Sequence, residues 1–146
     1  MAQLNGGNGA IQWAHNLTSP ALAGPTKFLG EAHGIATDAA SSTDFIAGAM
    51  RSARPGQTSL GALDVFVARY DFSGALLWVR QLGSSPPSNA SGSSNLSEQA
   101  FGLARNSAGV LFVVGDTVGS WGTPNSNTGR TDWFVLQLRP SDGAAY

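Results

Sequence analysis

The chain has 146 residues, a formal net charge of −1 and only 12% charged residues, against about 25% in ordinary soluble domains. That excludes a basic, phosphate-neutralising nucleic-acid binder, while a 42% hydrophobic content can build a core and excludes charge-rich disorder. There is no cysteine, hence no disulfide framework and no thiolate ligand or nucleophile.

Taken in chain order, the sequence predicts short strands rich in Val, Ile, Leu, Phe and Trp, bounded by Gly, Asp, Ser and Pro. They fall at 10–17, 33–38, 44–49, 64–71, 75–82, 101–106, 110–116 and 132–139. None keeps a helical period over ten residues. No apolar run reaches the ~18 residues of a membrane span, and no basic segment followed by an apolar one marks an export signal in the first thirty residues.

These strands form an internal repeat. Ala32-His33-Gly34-Ile35-Ala36 aligns with Ala100-Phe101-Gly102-Leu103-Ala104, and Phe45-Ile46-Ala47-Gly48 with Phe112-Val113-Val114-Gly115. The run from Asp64 to Tyr70 aligns with that from Asp132 to Leu138, and Gly9 to Leu17 with Gly74 to Leu82. Four segments, here lettered a, b, c and d, keep their order and nearly their spacing, which is the mark of a repeat architecture. Val65, Val67, Phe66, Ala68 and Tyr70 place apolar side chains on both faces of one strand, and Val110 to Val114 is apolar throughout. Such strands are expected inside a stack of sheets covered on both sides.

The links between strands are unequal. The c–d link Asp71-Phe72-Ser73-Gly74 is a tight hairpin turn. The b–c and d–a links are long, and structureless links of that length call for a reason. In an antiparallel a-b-c-d order all of them leave from one end of the sheets.

On the stretch Asp64-Val65-Phe66-Val67-Ala68-Arg69-Tyr70-Asp71-Phe72-Ser73-Gly74, on Gly34-Ile35-Ala36-Thr37-Asp38, on Leu76-Leu77-Trp78, and on Val110 to Thr117 and Asp132 to Leu138, the chain resembles the SBBP β-propeller repeat family. The resemblance covers the strands of nearly the whole chain. It implies four-stranded antiparallel blades, an extracellular or cell-surface setting, and no catalytic residue. The long b–c and d–a insertions depart from the family's shorter repeats. The expected fold class is therefore all-β, with β-propeller blades over 1–146: a lone outer strand at 10–17, one blade at 32–82 and an incomplete blade at 100–146. A two-sheet β-sandwich is the alternative. Two blades leave open edges and faces. Three remedies are expected: identical copies in a ring with the strand Ile11–Leu17 completing a neighbour's last blade, a non-closing filament, or further blades in a longer protein.

Motifs for chemistry are sparse. His15 and His33 have no metal-ligand spacing, Gly6-Gly7-Asn8-Gly9 lacks dinucleotide-binding spacing, and no nucleophile elbow is present. Asp38, Asp64, Asp71, Asp116, Asp132 and Asp142 stand at strand ends, where Asp caps turns. Several such carboxylates with loop carbonyls could hold a Ca²⁺ ion, but no DxDxDG loop is present, so no metal ligand is assigned and no other cofactor is implied. Trp121 lies in a Gly/Thr/Asn-rich loop, where an aromatic ring can stack on a sugar, anchor a protein or fold back on its own blade. Arg51, Arg54, Arg130, His33 and Trp121 are the candidate recognition residues of the long-loop face. Asn89 and Asn95 lie in glycosylation sequons of a Ser-rich loop, and Asn16 in a third. The function expected is a non-enzymatic extracellular or surface module for structural assembly or protein recognition, with protein partners or identical subunits. The alternative is a lectin-like, carbohydrate-binding homo-oligomer.

Overall fold

The computed structural model describes residues 2–14, 30–51, 59–84, 97–121 and 131–146. Among them the chain is all-β, with antiparallel sheets and no helix. The strands are β1 (Ala2–Leu4), β2 (Ile11–Ala14), β3 (Gly30–Asp38), β4 (Thr43–Met50), β5 (Asp64–Asp71), β6 (Leu76–Leu82), β7 (Glu98–Arg105), β8 (Leu111–Thr117) and β9 (Asp132–Leu138). They form a hairpin β1-β2, a four-stranded meander β3-β4-β5-β6 and a three-stranded meander β7-β8-β9. Among the described residues no sheet closes on itself.

The observed strands match the expected a, b, c and d segments within a few residues. The first strand is the exception. The sequence leaves the 10–17 segment unpaired, whereas β2 pairs with β1 through Ala2↔Ala14 and Gln3↔Trp13. Three residues with a Gln at the centre, next to a Gly/Asn-rich run, carry too little pattern to be seen as a strand. The turn between them holds through the Asn5 side-chain oxygen, which accepts from Gly7 N at 2.9 Å.

The middle sheet carries the core because alternate residues of β4 and β5 point to opposite faces. Phe45, Ala47, Val65 and Val67 pack against Ala100, Leu111, Val113, Phe134 and Leu138 of the third sheet. Ile46, Met50, Phe66, Ala68 and Tyr70 form a second cluster on the other face. Next to that face lies the hairpin, whose Ala2 shares a cleft with Ile46, Phe66 and Tyr70. The three units are thus stacked in chain order. Two-sided burial, expected for β5 and β8, holds for β5, as it does for β4, but not for β8. Leu111 and Val113 are buried while Val114 is 42% exposed, because no described residue covers the outer face of the third sheet.

The repeat is visible atom by atom. In β3 the register slips between Ala32 and Gly34, leaving His33 as the extra residue of a bulge. In β7 it slips between Ala100 and Gly102, leaving Phe101. Opposite these bulges stand Gly48 and Gly115, where the bent neighbour's backbone comes too close for a Cβ. The unit-to-unit contact also recurs. Trp13 Nε1 donates to the Phe72 carbonyl at 2.8 Å. Trp78 Nε1 donates to the Pro140 carbonyl at 3.0 Å. Each tryptophan sits on a d-type strand and reaches the c–d turn of the next unit.

Candidate functional site

The long links are anchored at one end of the sheets. Gly30, Met50 and Asp64 are register neighbours at that end, with Leu82 opposite Val65 beside them. Glu98, Thr117 and Asp132 are neighbours at the corresponding end of the third sheet. The two ends are tied by a parallel bridge between Leu63 and Ser97 and by Glu98 N donating to the Leu63 carbonyl at 3.0 Å. At this junction Glu31, Ala49, Arg51, Leu63 and Gln99 line a cleft of about 240 Å³.

A buried polar network lies at the same end. Asp64 and Glu98 are both 0% exposed. The Asp64 carboxylate accepts from Gln81 Nε2 at 2.6 Å and from Leu60 N at 3.1 Å, so this aspartate caps the backbone just ahead of its own strand. The Glu98 carboxyl accepts from the Ser84 hydroxyl and lies 3.4 Å from Thr117 Oγ1, while its Oε2 has no protein partner among the described residues. Burial pushes the Glu98 carboxyl above the usual carboxylate range. The Ser84 hydrogen bond opposes this, and the Asp64 charge adds to it. Neither acid lines the cleft. Glu98 links β7 to the segment that follows β6 through Ser84, whereas the Asp64 bonds to Gln81 and Leu60 stay within the middle unit. Among the described residues no group of three His, Asp or Glu side chains could hold a metal ion. Asp38, Asp71 and Asp142 are held below the usual carboxylate range by hydrogen bonds, led by the Ser41 hydroxyl, the Ser73 hydroxyl and the Ala144 amide respectively. Arg105 adds its charge to Asp38 across the two sheets at 3.1 Å.

The expected recognition residues are dispersed. Arg51 lines the cleft and is exposed. His33 is the bulge residue of β3. Its ring meets that of Phe101, the bulge residue of β7, edge-on at 5.8 Å, and its Nε2 lies 3.5 Å from the Glu31 carboxylate. Trp121 is half-buried with its indole 5.3 Å from the Phe134 ring, packed on its own sheet. Arg54, Arg130, Asn89 and Asn95, together with His15 and Asn16, lie outside the described residues. Repeat logic passed over Glu98 because its counterpart in the first repeat is Gly30, so no pattern marks it. Glu31 was passed over too, yet it both contacts His33 and lines the cleft of Arg51. The alternation in β3 was the available signal, since a Glu preceding a bulge must point somewhere wet.

No protein-family model matches the chain. No curated protein matches it at a significant level.

Proposed function

We propose that the chain is a non-enzymatic β-propeller-type module whose task is structural assembly or protein recognition. One observation carries the reading: successive units meet through the same contact, an indole N–H on a d-type strand donating to the c–d turn carbonyl of the next unit. Two equivalent contacts mean that hairpin, middle sheet and third sheet follow one another by a similar step. A repeated step about an axis is what generates a propeller. The bulges support the same reading, since His33 and Phe101 meet where successive a strands approach each other. The contact surface is the end that bears the long links, with Arg51, Glu31 and Gln99 in its cleft. An extracellular or surface setting belongs to this reading and rests on the repeat resemblance. A carbohydrate-binding role has less to stand on, because the Trp121 indole is engaged with Phe134.

Concatenation tests the architecture. Copies are joined so that Tyr146 of one is followed by Trp13 of the next, which keeps the repeat in phase. Propellers close with about four to eight blades, so three or four joined copies should give a particle whose radius of gyration stops growing. Its thermal midpoint should rise at closure, when the last open faces are covered. A radius that climbs in proportion through four copies would refute the propeller reading.

A further inference from the structure

The outer face of the third sheet, and the cleft that Ala2 of the hairpin shares with the far side of the middle sheet, are repeat copies of the two faces already packed together inside the stack. On the outer side of the third sheet, Trp133 is 81%, Val135 51% and Val114 42% exposed. Their repeat counterparts in the middle sheet are Val65, Val67 and Ala47, each fully buried against the third sheet. On the far side of the middle sheet a cleft of about 370 Å³ is lined by Ala32, Gly34, Ile35, Ile46, Phe66 and Tyr70, with Ala2 and His33 beside them. The counterparts of those six are Ala100, Gly102, Leu103, Val113, Phe134 and Leu138. Of these, Ala100, Val113, Phe134 and Leu138 are core residues under the middle sheet, and Leu103 packs against them. The outer face of the third sheet therefore has the character of the knob, and the cleft that of the hole, of an interface this chain already makes.

The first and last described segments are also equivalents. Gln3-Leu4 matches Gln137-Leu138, and Gly9-Ala10 matches Gly143-Ala144, each 134 residues apart. Their turns share one geometry. Asn5 N donates to the Ala10 carbonyl at 2.8 Å, and Arg139 N to the Ala144 carbonyl at 2.9 Å. Gly9 N donates to the Asn5 carbonyl and Gly143 N to the Arg139 carbonyl, both at 2.8 Å. Gly9 and Gly143 both have φ of 70°. Strand β1 thus holds, within its own chain, the place beside β2 that the end of β9 would hold.

Resting on the propeller-type reading, we propose that a second copy of this chain docks head to tail on the first. The outer face of its third sheet, centred on Trp133, Val135 and Val114, covers the cleft of Ile35, Ile46 and Phe66, and β9 displaces β1 at the inner edge of β2. The register follows from the middle sheet, where Ala68 pairs with Val79 and Arg69 with Trp78. Carried over by the repeat, Leu136 of one copy pairs with Ala14 of the other, and Gln137 with Trp13. Ala14 and Trp13 now pair with Ala2 and Gln3 in the same manner. Such a contact is heterologous, so it builds rings or filaments rather than a two-fold dimer.

The absence of cysteine makes cross-linking clean. Ala14→Cys and Leu136→Cys chains are mixed and oxidised, with Ala108→Cys plus Leu136→Cys as the out-of-register control, Ala108 being an exposed turn residue. In parallel, light scattering follows the mass of the full chain and of Trp133→Asp with concentration. Docking predicts disulfide-linked pairs of twice the 15.0 kDa chain mass for the first mixture and background for the control. It also predicts that Trp133→Asp weakens association more than about tenfold, as loss of a central interface Trp does, while leaving the circular dichroism of the monomer unchanged. A folded 15.0 kDa monomer up to about 1 mM would overturn the proposal. So would cross-linking no better than the control, or association that Trp133→Asp leaves intact. Any of these together with closed concatemers would remove the second copy and leave the propeller-type architecture standing. Concatemers that stay open would remove the architecture itself.

Discussion

The glycines opposite the two bulges offer the sharpest test of the fold. Gly48 pairs with Ala32, just before the extra residue His33. A Cβ on Gly48 would run into the Glu31 carbonyl oxygen, with the carbonyl carbon at 2.8 Å and Ala32 Cα at 2.9 Å. Carbon atoms rest at about 3.5–4.0 Å, and the obstacle is backbone, so no side chain can swing aside. Strand β3 must retreat by most of an ångström. That breaks about two ladder hydrogen bonds at ~1 kcal/mol each and adds overpacking of about 1–3 kcal/mol. Gly48→Ala should therefore cost about 3–5 kcal/mol, a large part of the ~5–15 kcal/mol of a whole domain. At roughly 3–5 °C per kcal/mol for a chain of this size, its melting midpoint should fall by more than about 10 °C. Gly115→Ala faces the Gln99 carbonyl in the same way and should behave alike. Gly6→Ala is the control, since a Cβ there meets nothing within 4 Å and its φ is not positive. Thermal unfolding followed by circular dichroism reads all three. Midpoints for Gly48→Ala and Gly115→Ala within about 2 °C of the control would refute the account of the bulges.

Trp78→Phe keeps a ring beside Phe45, now 6.0 Å from the indole, but removes the N–H that reaches Pro140. Arg69 Nη1 still donates to that carbonyl, so the loss in urea unfolding should be modest, about 1 kcal/mol, and Trp13→Phe should give a smaller loss at the end of the stack. Glu98→Gln should change the pH profile. The folded chain holds the Glu98 proton more tightly than the unfolded chain, so this group's contribution is fully present below the unfolded value near 4.5 and is lost as pH rises through the raised folded value. The parent should therefore lose stability relative to Glu98→Gln between mildly acidic and alkaline pH, by about 1.4 kcal/mol for each tenfold difference in proton affinity. Parallel denaturation curves for the two chains at pH 5 and pH 8 would contradict it.

The order and type of the eight longer strands were legible because each is a short apolar run closed by Asp, Ser or Gly, and because the second copy repeats the first. The cap at Asp64 was legible for the same reason. Strand β1 was not, since Ala2-Gln3-Leu4 becomes a strand only against β2. One-sided exposure of the third sheet was not legible either. Val114 and Val135 are as apolar as the buried Ala47 and Val67, and only the stacking order decides which face has a neighbour. The bulges had left a trace in the recurring glycines Gly48 and Gly115, which the alignment showed but composition could not explain. The site end was legible only as a place: the pairing of strand ends confirms where the long links leave, while the buried Asp64–Glu98 arrangement arises from two sheets meeting and has no local pattern.

The stacking order also fixes how this molecule comes apart. Among the described residues, only the middle sheet has a neighbour on each side; the hairpin and the third sheet each have one. In such a linear array the unfolding free energy is close to a sum of unit terms and nearest-neighbour terms. The middle sheet is then the keystone, and opening proceeds inward from the two outer units. Amide protons of β4 and β5, enclosed on both faces, should therefore outlast those of β2 and β9. A mutation in an outer unit should loosen that unit without lowering the protection of the centre by the same amount.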